Sequence, residues 1–241
     1  MRLKSHLRRL FWKFDYDISP FTPLTHPIAR MRQRLVAYQI DTVLDVGANA
    51  GQFVAYLRND LHYTNKIISF EPSSSAFASL KEKADWDPDW QALNMALGDT
   101  DEQGELYIAG NSYSSSLLEM LPLHLQSAPE SAYTGAERVQ VKRLDSVFDD
   151  LCGNARGVYM KIDTQGFEHK VLNGAARSLA RIDTVQLEMS LVPLYNGELL
   201  FNDLYNFMQS KGYRLVELAP GFTDLASGQV LQVDGTFHRF K

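Results

Sequence analysis

Two glycines and a carboxylate, each placed directly after an apolar run, could bind a nucleoside. Gly47 and Gly51 follow the apolar run at residues 42–46, and glycines let the backbone turn tightly and approach a ligand that a Cβ would obstruct. About twenty residues later a second apolar run ends at Glu71 and Pro72. A carboxylate at the end of a strand can accept two hydrogen bonds from the diol of a ribose. This order of features predicts a strand–helix–strand unit that binds a nucleoside.

The spacing of the glycines favours one class of cofactor over another. From Asp45 to Gly51 the pattern is D-x-G-x-x-x-G, which lacks the middle glycine of the dinucleotide pattern G-x-G-x-x-G. The Asp45 carboxylate would repel a pyrophosphate, whereas it would attract the cationic end of S-adenosylmethionine (SAM). We therefore predict a SAM site, with an NAD-dependent oxidoreductase as the alternative. The contacts predicted in this unit are Asp45, Gly47, Asn49, Gly51, Glu71 and Pro72.

A third apolar run, at residues 91–97, contains a polar residue that could reach the same ligand. Asn94 and its neighbours could meet the edge of an adenine, with Met95 or Ala96 as an apolar floor. The alternative for Asn94 is an amide that caps a turn.

Charged residues alternate with apolar ones in a fourth apolar run. Lys161 and Asp163 flank Ile162, so their side chains point to the same face of a strand. Charges in such a strand are costly unless they are used or paired, and a salt bridge from Lys161 to Glu168 or Glu188 is the alternative to a functional role. Asp163 lies at the strand tip, where the reactive end of a ligand is expected. The fifth run ends at Glu188, and we predict Asp163 and Glu188 as the catalytic pair.

Asp163 and Glu188 could also hold Mg²⁺, which prefers oxygen ligands. The two residues that follow Glu188 add no further acid or amide, so we expect the site to hold no metal. A metal-free site needs a general base near the hydroxyl group of the acceptor. Asp163 and Glu188 are the first candidates.

The alternation of apolar runs and helical patterns predicts the elements that position these residues. Strands are expected at 42–46, 66–70, 91–97, 157–163, 183–189, 213–219 and 229–238, and helices at 51–59, 74–85, 167–180 and 199–210. Residues 104–109 and 137–143 are expected to form additional short strands. The predicted fold class is α/β: a Rossmann-like, mostly parallel seven-stranded sheet with an antiparallel hairpin at its C-terminal edge.

The chain is predicted to have two parts. Residues 1–39 comprise a basic helix, a proline-rich connector and a leading helix, and residues 40–241 form the ligand-binding domain. Residues 110–136 are interpreted as an inserted loop or lid.

Composition excludes several classes of protein. Lys and Arg number 24 and Asp and Glu 29, which gives a net charge of −5. This mildly acidic balance argues against nucleic acid as the main partner. Cys152 is the single cysteine, so no internal disulfide can form. No apolar window is long enough to span a membrane and no secretory signal is evident, so a cytoplasmic protein is expected.

The N-terminal residues are basic and amphipathic. Residues 1–13 contain five basic side chains and no acid, and large apolar residues recur at helical spacing through residues 1–14. Such a segment could contact an anionic membrane surface at its inner face. The alternative, which we favour, is packing on its own domain or on a second copy of the chain in a homodimer.

Taken together, these segments resemble the FkbM family of SAM-dependent methyltransferases. The resemblance covers residues 40–240 and leaves residues 1–39 uncovered. The matching segments are Asp45–Gly51, Phe70–Pro72, Asn94–Gly98, Arg143–Asp145, Lys161–Glu168 and Val233–Phe237.

The resemblance implies a Rossmann-like class I methyltransferase that methylates a hydroxyl oxygen. The implied acceptor is a small molecule or glycan (a sugar, a glycolipid or a polyketide) from surface polysaccharide or natural-product biosynthesis. Gly47 and Gly51 would line the methionine end of SAM, Glu71 would bind ribose, and Asp163 would lie near the sulfonium. Asn94, Ala96 and Leu97 would border the adenine. A protein that binds SAM without turnover remains a further alternative.

Overall fold

The computed structural model describes residues 8–240 of the chain. In chain order the strands are β1 (Thr42–Val46), β2 (Lys66–Phe70), β3 (Trp90–Leu93), β4 (Ala96–Leu97), β5 (Glu102–Ala109), β6 (Tyr133–Lys142), β7 (Val158–Ile162), β8 (Thr184–Ser190), β9 (Arg214–Pro220) and β10 (Gln232–His238). The helices are α1 (Pro27–Ala37), α2 (Gln52–Asn59), α3 (Ser74–Ala84), α4 (Pro122–Ser127), α5 (Leu144–Cys152), α6 (Glu168–Gly174) and α7 (Phe201–Ser210). Residues 8–12 are also helical.

Seven strands form the main sheet, in the order β3-β2-β1-β7-β8-β10-β9. The first five of these pair in parallel. Strand β10 is antiparallel to both β8 and β9, so the C-terminal hairpin forms one edge of the sheet. The predicted α/β, Rossmann-like fold with a mostly parallel seven-stranded sheet is therefore confirmed.

The sheet is buried on both faces, which explains why its central strands read as apolar runs. All five residues of β1 are buried. Leu44 and Val46 pack into a core on one face, whereas Val43 packs on the other face beneath α1 and α2. Opposite faces follow from the two-residue period of a strand.

Residues 91–97 do not form one strand, contrary to the prediction. Strand β3 ends at Leu93, and Ala96–Leu97 instead pairs with β6 in a second, three-stranded sheet with the order β4-β6-β5. The Asn94 side chain donates hydrogen bonds to the carbonyl oxygens of Glu71 and Pro72. The chain therefore turns at Asn94 and Met95, where the prediction had continued the strand.

Two helices were missed by the sequence analysis. Helix α5 buries Leu144 and Phe148, with Val147 and Leu151 packed against the same core, so a helical spacing was present in the sequence. Helix α4 lies inside the predicted insertion, residues 110–136. Helix α6 ends at Gly174, earlier than predicted, and a short 3₁₀ turn follows at Ser178–Arg181.

The leading helix packs on the rest of the chain. Met31 and Leu35 of α1 are buried against the sheet, and Arg30 and Arg34 form salt bridges with Glu217 of β9. The division of the chain at residue 39 stays a prediction. The large apolar side chains between residues 10 and 24 are largely exposed. Membrane contact through residues 1–14 stays a prediction, because residues 1–7 lie outside the described residues.

Strands β1 and β7 are neighbours whose ends touch at Gly47. Gly47 has φ +79°, and a Cβ on it would lie 1.9 Å from the carbonyl oxygen of Asp163. No side chain fits at that distance, so glycine is required here both by conformation and by space.

We expect Gly47→Ala to destabilise the fold by at least about 2 kcal/mol more than Gly197→Ala, because overpacking is added to the strain of a positive φ. Gly197 is a matched control, since it has φ +78° with no atom within 4 Å of its Cβ position. Urea unfolding of both variants measures the difference, and equal losses would contradict the prediction.

Candidate functional site

A cleft with a cavity volume of about 60 Å³ lies at the carboxyl ends of β1, β2 and β7. This volume is below the range of about 300–1,000 Å³ that is usual for small-molecule sites, so a ligand of that size would have to displace part of the wall. Apolar walls are supplied by Val46, Phe70, Ala96, Leu97, Leu106, Leu117 and Phe167, and polar groups by Asn49, Glu71, Asp163, Thr164 and Gln165. We call it the Glu71 cleft.

Glu71 is 7% exposed and lies in the wall of this cleft. Its Oε2 accepts a hydrogen bond from the backbone N–H of Asn49 (2.7 Å), and its Oε1 accepts one from that of Ser73 (2.8 Å). Burial raises the pKa of Glu71 to about 7, although the two amides lower it. A carboxylate has about four acceptor positions, so two remain for a diol.

Part of the predicted insertion covers the Glu71 cleft. The Asn49 side chain donates a hydrogen bond to the carbonyl oxygen of Ser112 (3.1 Å). The Ser116 hydroxyl donates one to the carbonyl oxygen of Gln165 (2.7 Å). The segment 112–117 is therefore attached to the loop after β1 and to the loop after β7.

A second cavity, with a volume of about 270 Å³, adjoins the first. The two cavities share Gly47, Asn49, Tyr113, Asp163 and Gln165. The second is also lined by Ala48, Gln52, Phe53, Lys161 and Glu188. We call it the Glu188 cavity. A ligand in the Glu71 cleft could therefore reach a second molecule across Gly47 and Asp163.

Lys161 is paired with two carboxylates. Its Nζ lies 3.1 Å from Asp163 Oδ2 and 3.7 Å from Asp45 Oδ1, and it lies 5.4 Å from the ring centroid of Phe53. Burial lowers the pKa of Lys161, but the two carboxylates raise it more, so the ammonium stays charged at neutral pH. The alternative that we considered for Lys161, a salt bridge with Glu168 or Glu188, is wrong: its partners are Asp45 and Asp163.

Asp163 and Glu188 are brought together by an amide. Gln165 Nε2 donates to Asp163 Oδ1 (2.9 Å) and to Glu188 Oε2 (2.7 Å). Gln232 Nε2 donates a further hydrogen bond to Glu188 Oε2 (3.0 Å). Burial raises the pKa of Glu188 well above its usual range, and the neighbouring carboxylates, including Asp163, raise it further. The catalytic pair that was predicted from sequence is thus adjacent in the structure.

Glu168 holds the loop after β7 rather than lining a cavity. It is 3% exposed, and its Oε1 accepts hydrogen bonds from the N–H and hydroxyl of Thr164 and from the N–H of Gly166. Burial raises the pKa of Glu168 to about 7. This carboxyl group shapes the turn that carries Gln165.

The other predicted cofactor contacts fall into two groups. Gly47, Asn49, Glu71, Pro72, Ala96, Leu97 and Asp163 line the Glu71 cleft. Asp45, Gly51 and Asn94 lie outside its wall. Asp45 is fully buried and faces Ser69 and Lys161. A Cβ on Gly51 would meet Trp90. Asn94 lies in the turn after β3, and its amide binds the carbonyl oxygens of Glu71 and Pro72 on the loop after β2.

Sequence reasoning missed several residues of the site. Gln165, Ser112 and Phe167 line the Glu71 cleft. Gln165 carried a signal, because it lies two residues after Asp163 in the segment most specific to the family resemblance, whereas Ser112 and Phe167 carried none. Ser116, which also lines the cleft, and Tyr195, which hydrogen-bonds to the Gln165 side chain, belong to stretches rich in serine and tyrosine that are plausible contacts of a carbohydrate acceptor by residue type alone.

A larger cleft, with a cavity volume of about 530 Å³, lies at the amino ends of β1, β2 and β7. It is lined by Asp41, which precedes β1, and by Tyr63 and Arg156. The Asp41 carboxylate already accepts hydrogen bonds from Arg156 and Gly157. Ligands of open α/β sheets bind at the carboxyl ends of the strands, which favours the Glu71 cleft as the functional site.

A model of the methyltransferase FkbM domain matches residues 45–215, which is most of the chain. The chain belongs to the FkbM methyltransferase family. The resemblance drawn from sequence is therefore confirmed. No curated protein matches the chain.

Solved structures share the fold. The methyltransferase FkbM from Methylobacillus flagellatus KT is similar with a TM-score of 0.50 and 14% sequence identity, over 81% of this chain and 43% of that chain. This FkbM family member thus spans less than half the length of the Methylobacillus protein. Magnesium protoporphyrin IX methyltransferase from Synechocystis PCC 6803, solved with bound SAM, is 9% identical with a TM-score of 0.49, over 98% of this chain and 97% of that chain.

Two further findings concern residues 8–240. None of the helices in this range is both long and apolar enough to cross a membrane. Within the same range no group of three or more His, Cys, Asp or Glu side chains is arranged to hold a metal ion. Metal independence stays a prediction.

We expect the free energy of unfolding to depend on pH through Glu168, because burial raises the pKa of this residue. Its pKa is about 7 in the folded protein, against an ordinary value of 4.5. Between these pH values Glu168 keeps its proton in the folded protein but has lost it in the unfolded chain. Its contribution to the free energy of unfolding is therefore fully present below pH 4.5 and is lost as pH rises through 7. Glu168→Gln keeps the accepting oxygen but cannot ionise. From pH 4.5 to 7.5 its free energy of unfolding should rise relative to wild type by on the order of 3 kcal/mol. Parallel curves from chemical unfolding at each pH would refute this.

Proposed function

We propose that this FkbM family member transfers a methyl group from SAM to a hydroxyl oxygen of a sugar, glycolipid or polyketide-type acceptor. The observation that carries the proposal is the pair of adjoining cavities. One has a buried carboxylate with free acceptor positions, and the other has a carboxylate whose pKa is raised, beside Asp163. Family membership supports methyl transfer, and the geometry supports an acceptor that must lose a proton.

The residues of the Glu71 cleft fit the adenosine part of SAM. Glu71 would accept hydrogen bonds from the ribose diol, and the apolar side chains of Phe70, Leu97 and Phe167 would contact the adenine. A pyrophosphate is accommodated poorly, because the Asp163 carboxylate lies in the wall beside Gly47 and would repel phosphate. This observation disfavours the NAD-dependent alternative.

Asp163 lies where the two cavities meet, and it would face the cationic part of the cofactor. Lys161 binds Asp163 Oδ2 and keeps that carboxylate oriented. When bound, SAM supplies an electrophilic methyl group. Asp45 lies behind Lys161 rather than in the wall, so its contribution is to hold Lys161 in place.

The protein would accelerate the reaction mainly by holding the two molecules in line. Such positioning can supply about 7–11 kcal/mol of a barrier. Glu188 would then accept the hydroxyl proton, because its raised pKa makes it a stronger base than an ordinary carboxylate. The Glu188 cavity also presents two aromatic rings, Phe53 and Tyr113, which suit the apolar faces of a sugar.

The first prediction tests the cofactor. Glu71→Gln loses a charged acceptor for the ribose diol, so the affinity for S-adenosylhomocysteine should fall by about 10–100-fold. Isothermal titration calorimetry measures this. Glu137→Gln is a control, since Glu137 also accepts a backbone hydrogen bond, from Ser74, but lies outside the cleft. If wild-type protein binds no S-adenosylhomocysteine, the proposed function fails.

The second prediction tests the base. Glu188→Gln should lower the rate of methyl transfer by about 10²–10⁴-fold while the affinity for S-adenosylhomocysteine stays close to wild type. Transfer of a radiolabelled methyl group to a panel of sugars, with and without a chelator, measures the rate. Undiminished transfer by Glu188→Gln would remove Glu188 from the mechanism, and loss of transfer with the chelator would show that a metal is needed.

A further inference from the structure

The Gln165 side chain joins the two carboxylates that face the Glu188 cavity. Its single NH₂ group donates one hydrogen bond to Asp163 (2.9 Å) and one to Glu188 (2.7 Å). Both hydrogens of the amide are used, and both acceptors are acids. Gln165 also lines both cavities, so its amide lies where cofactor and acceptor would meet.

The orientation of this amide is fixed from its other end. The Tyr195 hydroxyl donates to Gln165 Oε1 (2.8 Å). Burial strongly raises the pKa of Tyr195, so this hydroxyl remains a donor. A flipped amide would present its oxygen to two carboxylates and its NH₂ to a donor. The side chain therefore has one acceptable orientation.

The backbone of Gln165 is held under strain. Its φ is +57°, a left-handed conformation that is costly for a glutamine and is found where surrounding contacts enforce it. Gly166 follows with φ +92°, and a Cβ there would lie 2.8 Å from Tyr195 Cβ. Ser116 donates to the Gln165 carbonyl oxygen (2.7 Å). Contacts from two segments, 112–117 and the loop after β8, thus enforce the position of Gln165.

The charges around Glu188 explain why a neutral amide suits this place. Burial and the nearby carboxylates of Asp163, Glu168 and Asp234 raise its pKa, and Lys161 lowers it. A second cation in the place of Gln165 would lower that pKa further and weaken Glu188 as a base. An amide donor separates two like charges without adding a charge of its own.

We propose that Gln165 is a positioning residue that holds Asp163 and Glu188 side by side, so that Glu188 faces the hydroxyl group of the acceptor. This inference rests on the proposed function, since it assigns Glu188 the proton. Gln165 acts through the two carboxylates and does not itself take part in bond making.

The test follows the titration of Glu188 in the full chain. Carboxyl ¹³C NMR spectra are recorded against pH, and the Glu188 signal is assigned from its absence in Glu188→Gln. Gln165→Asn suits the left-handed backbone but is too short to reach both carboxylates. Loss of one hydrogen bond to a charged group should lower the acid dissociation constant of Glu188 by about tenfold.

Two further variants complete the design. Tyr195→Phe removes the hydrogen bond that orients the Gln165 amide, so it should also lower the acid dissociation constant of Glu188, by a smaller factor. This variant replaces Gln165→Asn in the test if Gln165→Asn does not fold. Gln209→Asn makes the same substitution on the exposed face of α7 and should leave Glu188 unchanged. Identical Glu188 titration in wild type and folded Gln165→Asn would overturn the proposal. Calorimetry with S-adenosylhomocysteine on the same samples separates this outcome from failure of the proposed function, which would appear as absent binding in wild type.

Discussion

The close approach of two loops at the centre of the sheet determines the site. Strands β1 and β7 are parallel neighbours. After β1 the chain continues to β2 on one side of this pair, and after β7 it continues to β8 on the other side. At this point the Asp163 carbonyl oxygen occupies the place that a Cβ on residue 47 would need. Gly47 and Asp163 therefore line both cavities at once. A side chain at residue 47 would force the two loops apart and so disturb the wall that both cavities share.

A series of buried hydrogen bonds and ion pairs leads from Trp90 to Asp163. Trp90 Nε1 donates to Ser69 Oγ (2.9 Å), and Ser69 lies 3.4 Å from Asp45 Oδ2. Asp45 faces Lys161, which binds Asp163. Burying a lone charge is costly, so each charge in this series requires the next. Without Asp45 the lysine would keep Asp163 as its remaining anionic partner, and without the lysine Asp163 would lose the cation that orients it.

Local sequence patterns predicted the central strands and the face of the sheet on which their side chains lie. Apolar runs between turns located β1, β2, β7 and β8. The alternation at Lys161 and Asp163 placed both side chains on one face, where Lys161 Nζ lies 3.1 Å from Asp163 Oδ2. The break at Asn94 escaped prediction because its amide binds carbonyl groups on the loop after β2. Asp45 was predicted to contact the ligand from its charge alone; its burial depends on Lys161, which lies on another strand.

The residues that no local pattern could locate are those that act across the fold. Ser116 lies 49 positions from Gln165 in sequence, and Tyr195 lies 30 positions from it. Their contacts exist because the segment 112–117 and the loop after β8 both meet the turn that carries Gln165. Ser112 binds Asn49 on the opposite side of the same cleft. The covering segment is thus attached both to the loop whose Asn49 N–H binds Glu71 and to the loop whose Gln165 side chain binds Asp163 and Glu188. A ligand that displaced the covering segment would therefore break contacts with both loops.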